Sequence, residues 1–146
     1  MTSRFVDQDI RTDEGFEPVA YPDPKTGGDP WTIGFGQTGP DIVKGSKTTL
    51  AAATAWQTKR RQEIEMQFDK LIPWWRKLID IRQDVCVNMA YNMGVHGFLE
   101  FHEALLALQN GDWVEAGAQL LASKWASQLP KRSKRLAAQI VSGVRA

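Results

Sequence analysis

Apolar positions recur at helical spacing over most of this chain, and one stretch near its start breaks the rhythm. Phe5, Val6 and Ile10 share one side of a helix predicted over residues 3 to about 13, closed by Gly15 and Pro18. From Gly15 to Lys47 the density of glycine and proline (Gly27, Gly28, Pro30, Gly34, Gly36, Gly39, Pro40, Gly45) forbids any long helix. It predicts a small, twisted antiparallel sheet that includes the run Trp31 to Gly36. Helical spacing resumes at Thr48 or Thr49, either of which can cap a helix through Leu50, Trp56, Ile64, Phe68 and Leu71 that stops at Pro73.

Further helices follow: Trp74 to Ile79, Arg82 to Met93 closed by Gly94, Phe98 to Gln109 closed by Gly111, Trp113 to Ala122, and Pro130 to Val141 closed by Gly143. The pattern is α+β, a single domain over residues 1–146 with a small N-terminal β-sheet lobe at about 15–47. The helical lobe combines 1–14 with 74–146, a linking helix occupies about 49–72, and a ligand cleft is expected between the lobes.

Composition narrows the picture. At 146 residues the chain can bury one sizeable core, and 42% hydrophobic with 24% charged residues is ordinary for a folded, water-exposed protein. The single cysteine, Cys86, lies in the apolar series Val85, Cys86, Val87, Met89 and is expected to be a buried, inert thiol. Net charge is only +1 but unevenly placed: residues 1 to 46 carry eight acids and four bases, residues 116 to 146 six bases and no acid. Such a basic end favours an anionic partner, whether nucleic acid, lipid or wall polymer. No nucleic-acid motif accompanies it, so a nucleic-acid partner is not expected. His96 and His102 have no partner at ligand spacing, so neither metal nor cofactor is expected.

The chemistry concentrates where the helical rhythm fails. Glu14 and Asp23 stand nine apart, one at a helix end and one in a Pro-Asp-Pro turn, with Thr32 on the strand that comes next. Hydrolysis of a glycosidic bond needs one carboxylic acid to protonate the leaving oxygen and one carboxylate to activate water or attack carbon. Glu14 suits the first role and Asp23, among polar residues, the second, with Thr32 holding a water against it. A solvated helix end and a turn aspartate would equally account for the pair. Glu17, Asp29 and Glu100 have solvated readings of their own. The tryptophans Trp74, Trp75, Trp113 and Trp125 are expected in the core, whereas Trp31 and Phe35, on the strand, are candidates to stack on sugar rings.

The order Glu14-Gly15-Phe16, Tyr21, Asp23, Gly28, Trp31-Thr32-Ile33-Gly34-Phe35-Gly36 resembles the catalytic region of the phage-type lysozymes, with their Glu, Asp and Thr triad. Residues 87 to 113, including Asn88, Met89, Met93-Gly94, Gly97, Phe101 and Trp113, are similar to the core helices of the T-even branch of that family. In residues 123 to 143, Trp125, Pro130, Arg132, Lys134, Arg135 and Gly143 recur in register. The resemblance implies a lysozyme-like fold and cleavage of the β-1,4 bond between N-acetylmuramic acid and N-acetylglucosamine in peptidoglycan, with inversion. Glu14 would be the general acid, and Asp23 and Thr32 would bind the attacking water.

By the same resemblance Arg132 would pair with Glu14 from the opposite lobe, and Gln37, Asn92 and Phe101 would meet substrate. Gln37 stands where the family usually has histidine, and Asn92 where the T-even branch has glutamine. The eight residues between Asp23 and Thr32 are more than that branch has, so the extra turn must loop out if the two side chains are to meet. Lys124, Lys131, Lys134 and Arg145 form a basic face toward the wall. The resemblance further implies a monomeric endolysin without membrane insertion. It would be made in the host cytoplasm, since no apolar run of signal-peptide length is present, and would reach the wall in the periplasm through a separate holin pore. A lytic transglycosylase, in which the sugar's own 6-hydroxyl attacks, and a non-catalytic wall-binding module are the alternatives.

Overall fold

A computed structural model describes residues 1–146. The order is α1 (Val6–Glu14), β1 (Glu17–Tyr21), β2 (Thr32–Gly34), α2 (Leu50–Leu71), a 3-10 turn (Pro73–Lys77), α3 (Asp80–Met93), α4 (Val95–Leu99), α5 (His102–Asn110), α6 (Trp113–Leu121), α7 (Lys124–Gln128) and α8 (Pro130–Ser142). The fold class is α+β, as expected. Two compact units divide the chain: residues 7–63, and residues 1–6 together with 64–146. No helix is long and apolar enough to cross a membrane.

In the smaller unit, a half-buried polar relay joins α1 to α2. Arg61 grips Asp7 with Nε to Oδ1 at 3.0 Å and Nη2 to Oδ2 at 2.9 Å. Gln57, fully buried, donates to Asp7 Oδ1 at 3.1 Å and accepts from Arg11 at 2.9 Å. Two strands pair antiparallel beside it, with Glu17 opposite Gly34 and Tyr21 opposite Thr32, so β1 bulges between the two pairs. On its other edge β1 meets Lys47 through Val19. The expected strand Trp31 to Gly36 is shorter, because Gly34 and Gly36 adopt positive φ and fold the chain back so that Ile33 and Gln37 exchange two hydrogen bonds at 2.9 Å.

In the larger unit, Phe68, Trp75 and Phe98 form an aromatic core with centroids 5.2 to 5.4 Å apart, and α6 packs on α5 and α8. Cys86 is completely buried, its thiol pushed up to about 12 by desolvation. Several expected boundaries shift. The first helix begins at Val6 rather than at residue 3, because Ser3 is captured through its backbone N–H (2.7 Å) and hydroxyl by the buried Asp84. In place of the helix expected over Trp74 to Ile79 the chain forms only the 3-10 turn Pro73–Lys77. Phe98 to Gln109 is two helices, broken at Glu100 and Phe101, where the Phe101 ring stacks near Phe98 (6.5 Å) and meets Trp125 edge-on (6.4 Å). A short helix not expected from the pattern, α7, is capped by Ser123 Oγ, which accepts from Ala126 N–H at 3.1 Å. Trp75 and Trp125 are core, as expected, but Trp74 and Trp113 are only half-buried.

The smaller unit yields two stability outcomes. Burial pulls the Asp7 carboxyl upward, but the hydrogen bonds from Arg61 and Gln57 and the charges of Arg61 and Arg11 outweigh it and hold it below its ordinary value. The stabilisation is therefore present above the unfolded carboxylate pKa of about 3.9 and is lost as pH falls through the lowered folded value. Asp7→Asn should cost about 1 to 2 kcal/mol near neutrality, with the deficit closing below about pH 4, as read by urea unfolding across pH. At Gly34, φ is +62° and an added Cβ would lie 3.0 Å from the buried Ala53 Cβ. Gly34→Ala should lower stability by about 1 to 3 kcal/mol in the same assay.

Candidate active site

Glu14 ends α1. Gly15, in the left-handed region at φ +72°, closes that helix by donating to the Arg11 carbonyl at 3.0 Å and turns the chain into β1. The relay on Asp7 and Arg11 fixes the helix that carries Glu14. Four residues along β1 from Glu17 the chain reaches Tyr21, whose register partner is Thr32. The Tyr21 and Thr32 hydroxyls share a hydrogen bond, and the Glu14 carboxylate acts electrostatically on the same phenol. Glu14, Tyr21 and Thr32 therefore occupy one neighbourhood in a single unit. Glu14 and Thr32 are half-buried.

Asp23 lies two residues past Tyr21, and the extra residues before Thr32 close on themselves. Asp23 N–H donates to the Gly28 carbonyl at 2.9 Å, and Gly27 N–H donates to the Asp23 carbonyl at 2.8 Å. The Thr26 hydroxyl donates to the Asp29 carbonyl at 2.6 Å. A longer turn is thus accommodated outside the ladder, and Thr32 keeps its place opposite Tyr21. The Asp23 carboxylate is positioned by its own turn: Oδ1 accepts from Lys25 N–H at 2.7 Å, an Asx turn that leaves Oδ2 as an acceptor.

The other nominated residues of this unit divide. Gln37 is half-buried at the end of the tight Ile33 to Gln37 hairpin. Trp31 is half-buried beside the segment from Thr38 to Val43, where it lines a hollow of about 490 Å³. Phe35, expected as a platform for sugar, is only 5% exposed, with its ring tilted against Phe16 at 5.4 Å. It is a core residue of the small sheet, without an open face.

The remaining nominees lie in the larger unit. Arg132 is buried and held by α3, its Nε donating to Asn88 Oδ1 at 2.9 Å. Asn92, one turn further along α3, accepts from Trp125 Nε1 at 2.9 Å. Phe101 and Trp125 line a cavity of about 520 Å³ with Gln119 and Lys124. The placement of Trp125 thus depends on Asn92. Asn88 and Tyr21 are the site residues that reading the sequence did not nominate. Asn88 stands four residues before Asn92, the spacing that puts both on one helix face, and Tyr21 is the strand neighbour of Thr32 only once the register is known.

A family model for phage lysozyme matches residues 11–140. The chain belongs to the phage lysozyme family. The match covers both units and every candidate residue above. A protein of Dictyostelium discoideum named "Probable T4-type lysozyme 1" is 33% identical over 69 residues, 47% of this chain and 41% of that protein. The "Pre-baseplate central spike protein Gp5" of Enterobacteria phage T4 is 33% identical over 114 residues, 73% of this chain and 19% of that protein. "Probable T4-type lysozyme 2" of Dictyostelium discoideum is 32% identical over 62 residues, 42% of this chain and 36% of that protein. In each case the chain spans less than half the length of the relative it matches.

The Tyr21 phenol reports on this neighbourhood. Burial pushes its pKa above the ordinary value, and the charges of Glu14 and Glu17 add to the rise while the Thr32 hydrogen bond opposes it. A nearby anion disfavours phenolate, so its removal must lower the pKa. Carbon-detected NMR titration should place Tyr21 above 10.0 and show its midpoint fall in Glu14→Gln. An unchanged midpoint would separate Glu14 from the Tyr21 and Thr32 pair.

Proposed function

We propose that this protein is a muramidase of the endolysin type. It hydrolyses the β-1,4 bond between N-acetylmuramic acid and N-acetylglucosamine in peptidoglycan, with inversion at the anomeric carbon, to lyse the host cell. Family membership over residues 11–140 supports a lysozyme-type peptidoglycan hydrolase. The observation that carries the finer reading is that Glu14 lies within electrostatic reach of the Tyr21 phenol, which is hydrogen-bonded to Thr32, with Asp23 two residues from Tyr21 in a self-closed turn.

In this mechanism Glu14 protonates the glycosidic oxygen as the bond to the anomeric carbon breaks. A water held by Asp23 Oδ2 and the Thr32 hydroxyl attacks the opposite face of the ring and gives its proton to Asp23. Inverting enzymes need roughly 6.5 to 9.5 Å between their carboxyl groups to admit that water. The Asx turn keeps Asp23 from swinging inward, and the Tyr21 hydroxyl orients Thr32. We further assign passage to the wall to a separate pore, with no stable membrane insertion by this chain.

Clearing of outer-membrane-permeabilised bacteria should fall about a thousandfold in Glu14→Gln and at least a hundredfold in Asp23→Asn, in keeping with the 10² to 10⁴ that a positioned acid or base contributes. Mass analysis of wild-type digests should give reducing muramic acid ends. Activity surviving in Asp23→Asn with anhydro ends would replace hydrolysis by transglycosylation, and a folded wild type that cuts no wall would remove the enzyme reading.

A further inference from the structure

A second hollow in the larger unit is built unlike the hydrophobic core around it. It measures about 470 Å³ and is lined by Trp74 and Lys77 of the 3-10 turn, Leu78, Gln109 and Asn110 at the end of α5, and Trp113 at the start of α6. The volume lies within the range of small-ligand sites. Both tryptophans are half-buried, whereas Trp75, next to Trp74 in sequence, is completely buried.

Their setting is rigid. The Arg82 guanidinium stacks on the Trp113 ring at 3.8 Å and is itself fixed by Nε donating to the Ile140 carbonyl at 2.7 Å. The polar lining consists of two primary amides and one ammonium, and no carboxylate lines the hollow. The neighbouring Arg76 is paired with Asp69 at 2.7 Å and Glu65 at 3.2 Å, so Lys77 is the cation that lines the hollow, with the Arg82 guanidinium against its Trp113 wall.

These groups discriminate among ligands. Indole surfaces take flat apolar faces such as the C–H face of a pyranose ring, and amides donate to and accept from hydroxyl and acetamido groups. A lysine favours an acid and opposes a cation, so a quaternary ammonium guest is disfavoured. The geometry points to a second, non-catalytic glycan site here, for an N-acetylated sugar that carries a carboxylate. Its residues lie in the larger unit, whereas Glu14, Asp23 and Thr32 lie in the smaller one. Naming the ligand as a muramic-acid-containing wall strand rests on the muramidase reading; the site itself does not. Such a site would hold the enzyme on an insoluble polymer between cuts.

The test uses the full chain carrying Glu14→Gln, so that binding is read without cutting. Sedimentation with purified peptidoglycan sacculi should show saturable binding. Trp74→Ala and Lys77→Gln should each weaken it about three- to tenfold, whereas Lys70→Gln, an exposed lysine on α2 that changes the same charge, should leave it unchanged. Near-UV circular dichroism checks that each variant is folded, and Lys77, an exposed side chain, can be replaced without disturbing the core. Insoluble chitin, which has the acetamido sugar without the acid, should bind more weakly and respond to Trp74→Ala but not to Lys77→Gln. Sacculus binding that neither variant weakens, or no binding at all, would overturn the site. Loss in Trp74→Ala with none in Lys77→Gln would overturn the acidic ligand. Failure of wild type to cut walls that it still binds through Trp74 would instead sink the hydrolase reading and leave this site standing.

Discussion

The smaller unit depends on one half-buried carboxylate. Asp7 sits between a bidentate arginine from α2 and a fully buried glutamine, and that glutamine passes the constraint on to Arg11. Two charges taken partly from water are tolerated because both Asp7 oxygens accept hydrogen bonds and Gln57 both donates and accepts, the condition under which buried ion pairs hold. Because Asp7 and Arg11 lie on successive turns of α1, the relay sets both the axis and the rotation of a helix only 9 residues long. Glu14 is the last residue of that helix. The position of the proposed acid is thus decided seven residues upstream, by groups that never meet a substrate.

Beyond Glu14, register governs the site. A two-stranded sheet has little core with which to define itself, and its alignment is secured by glycines that reverse the chain and by a turn that consumes its own surplus residues. The hydrogen bonds from residue 23 to 28 absorb the extra length locally, so the pairing of Tyr21 with Thr32 does not feel it. In the larger unit positioning is done by amides instead: Asn88 holds Arg132 and Asn92 holds Trp125, both from one face of α3.

Much of this was legible in the sequence, for physical reasons that differ from element to element. The helices closed by Gly94, Gly111 and Gly143 could be read because all three glycines take positive φ, where other residues are strained. The strand region was legible as a departure from helical spacing, but its short extent was not, since where a strand stops depends on which glycine turns. The break at Glu100 and Phe101 was hidden because apolar spacing continues across it, and the Trp125 ring that Phe101 meets there is remote in sequence. Phe35 and Trp31 look alike on a strand pattern. Phe16 covers the first, and only the folded chain reveals that. Glu14, Asp23 and Thr32 were nominated from chemistry and resemblance, whereas Tyr21 and Asn88 act through neighbours that no spacing rule connects.

The fastening of Ser3 to Asp84 carries a consequence for the order in which the molecule assembles. These partners lie 81 residues apart in sequence, and residues 1–6 belong to the unit otherwise formed by 64–146. Residues 7–63 form an uninterrupted stretch that can gather its contacts as it leaves the ribosome. The amino-terminal segment has no such option, because α3 must exist before Asp84 can receive it, and closing so long a loop carries an entropy cost that later packing must offset. Residues 1–6 are therefore secured later than the residues 7–63 that follow them in the chain.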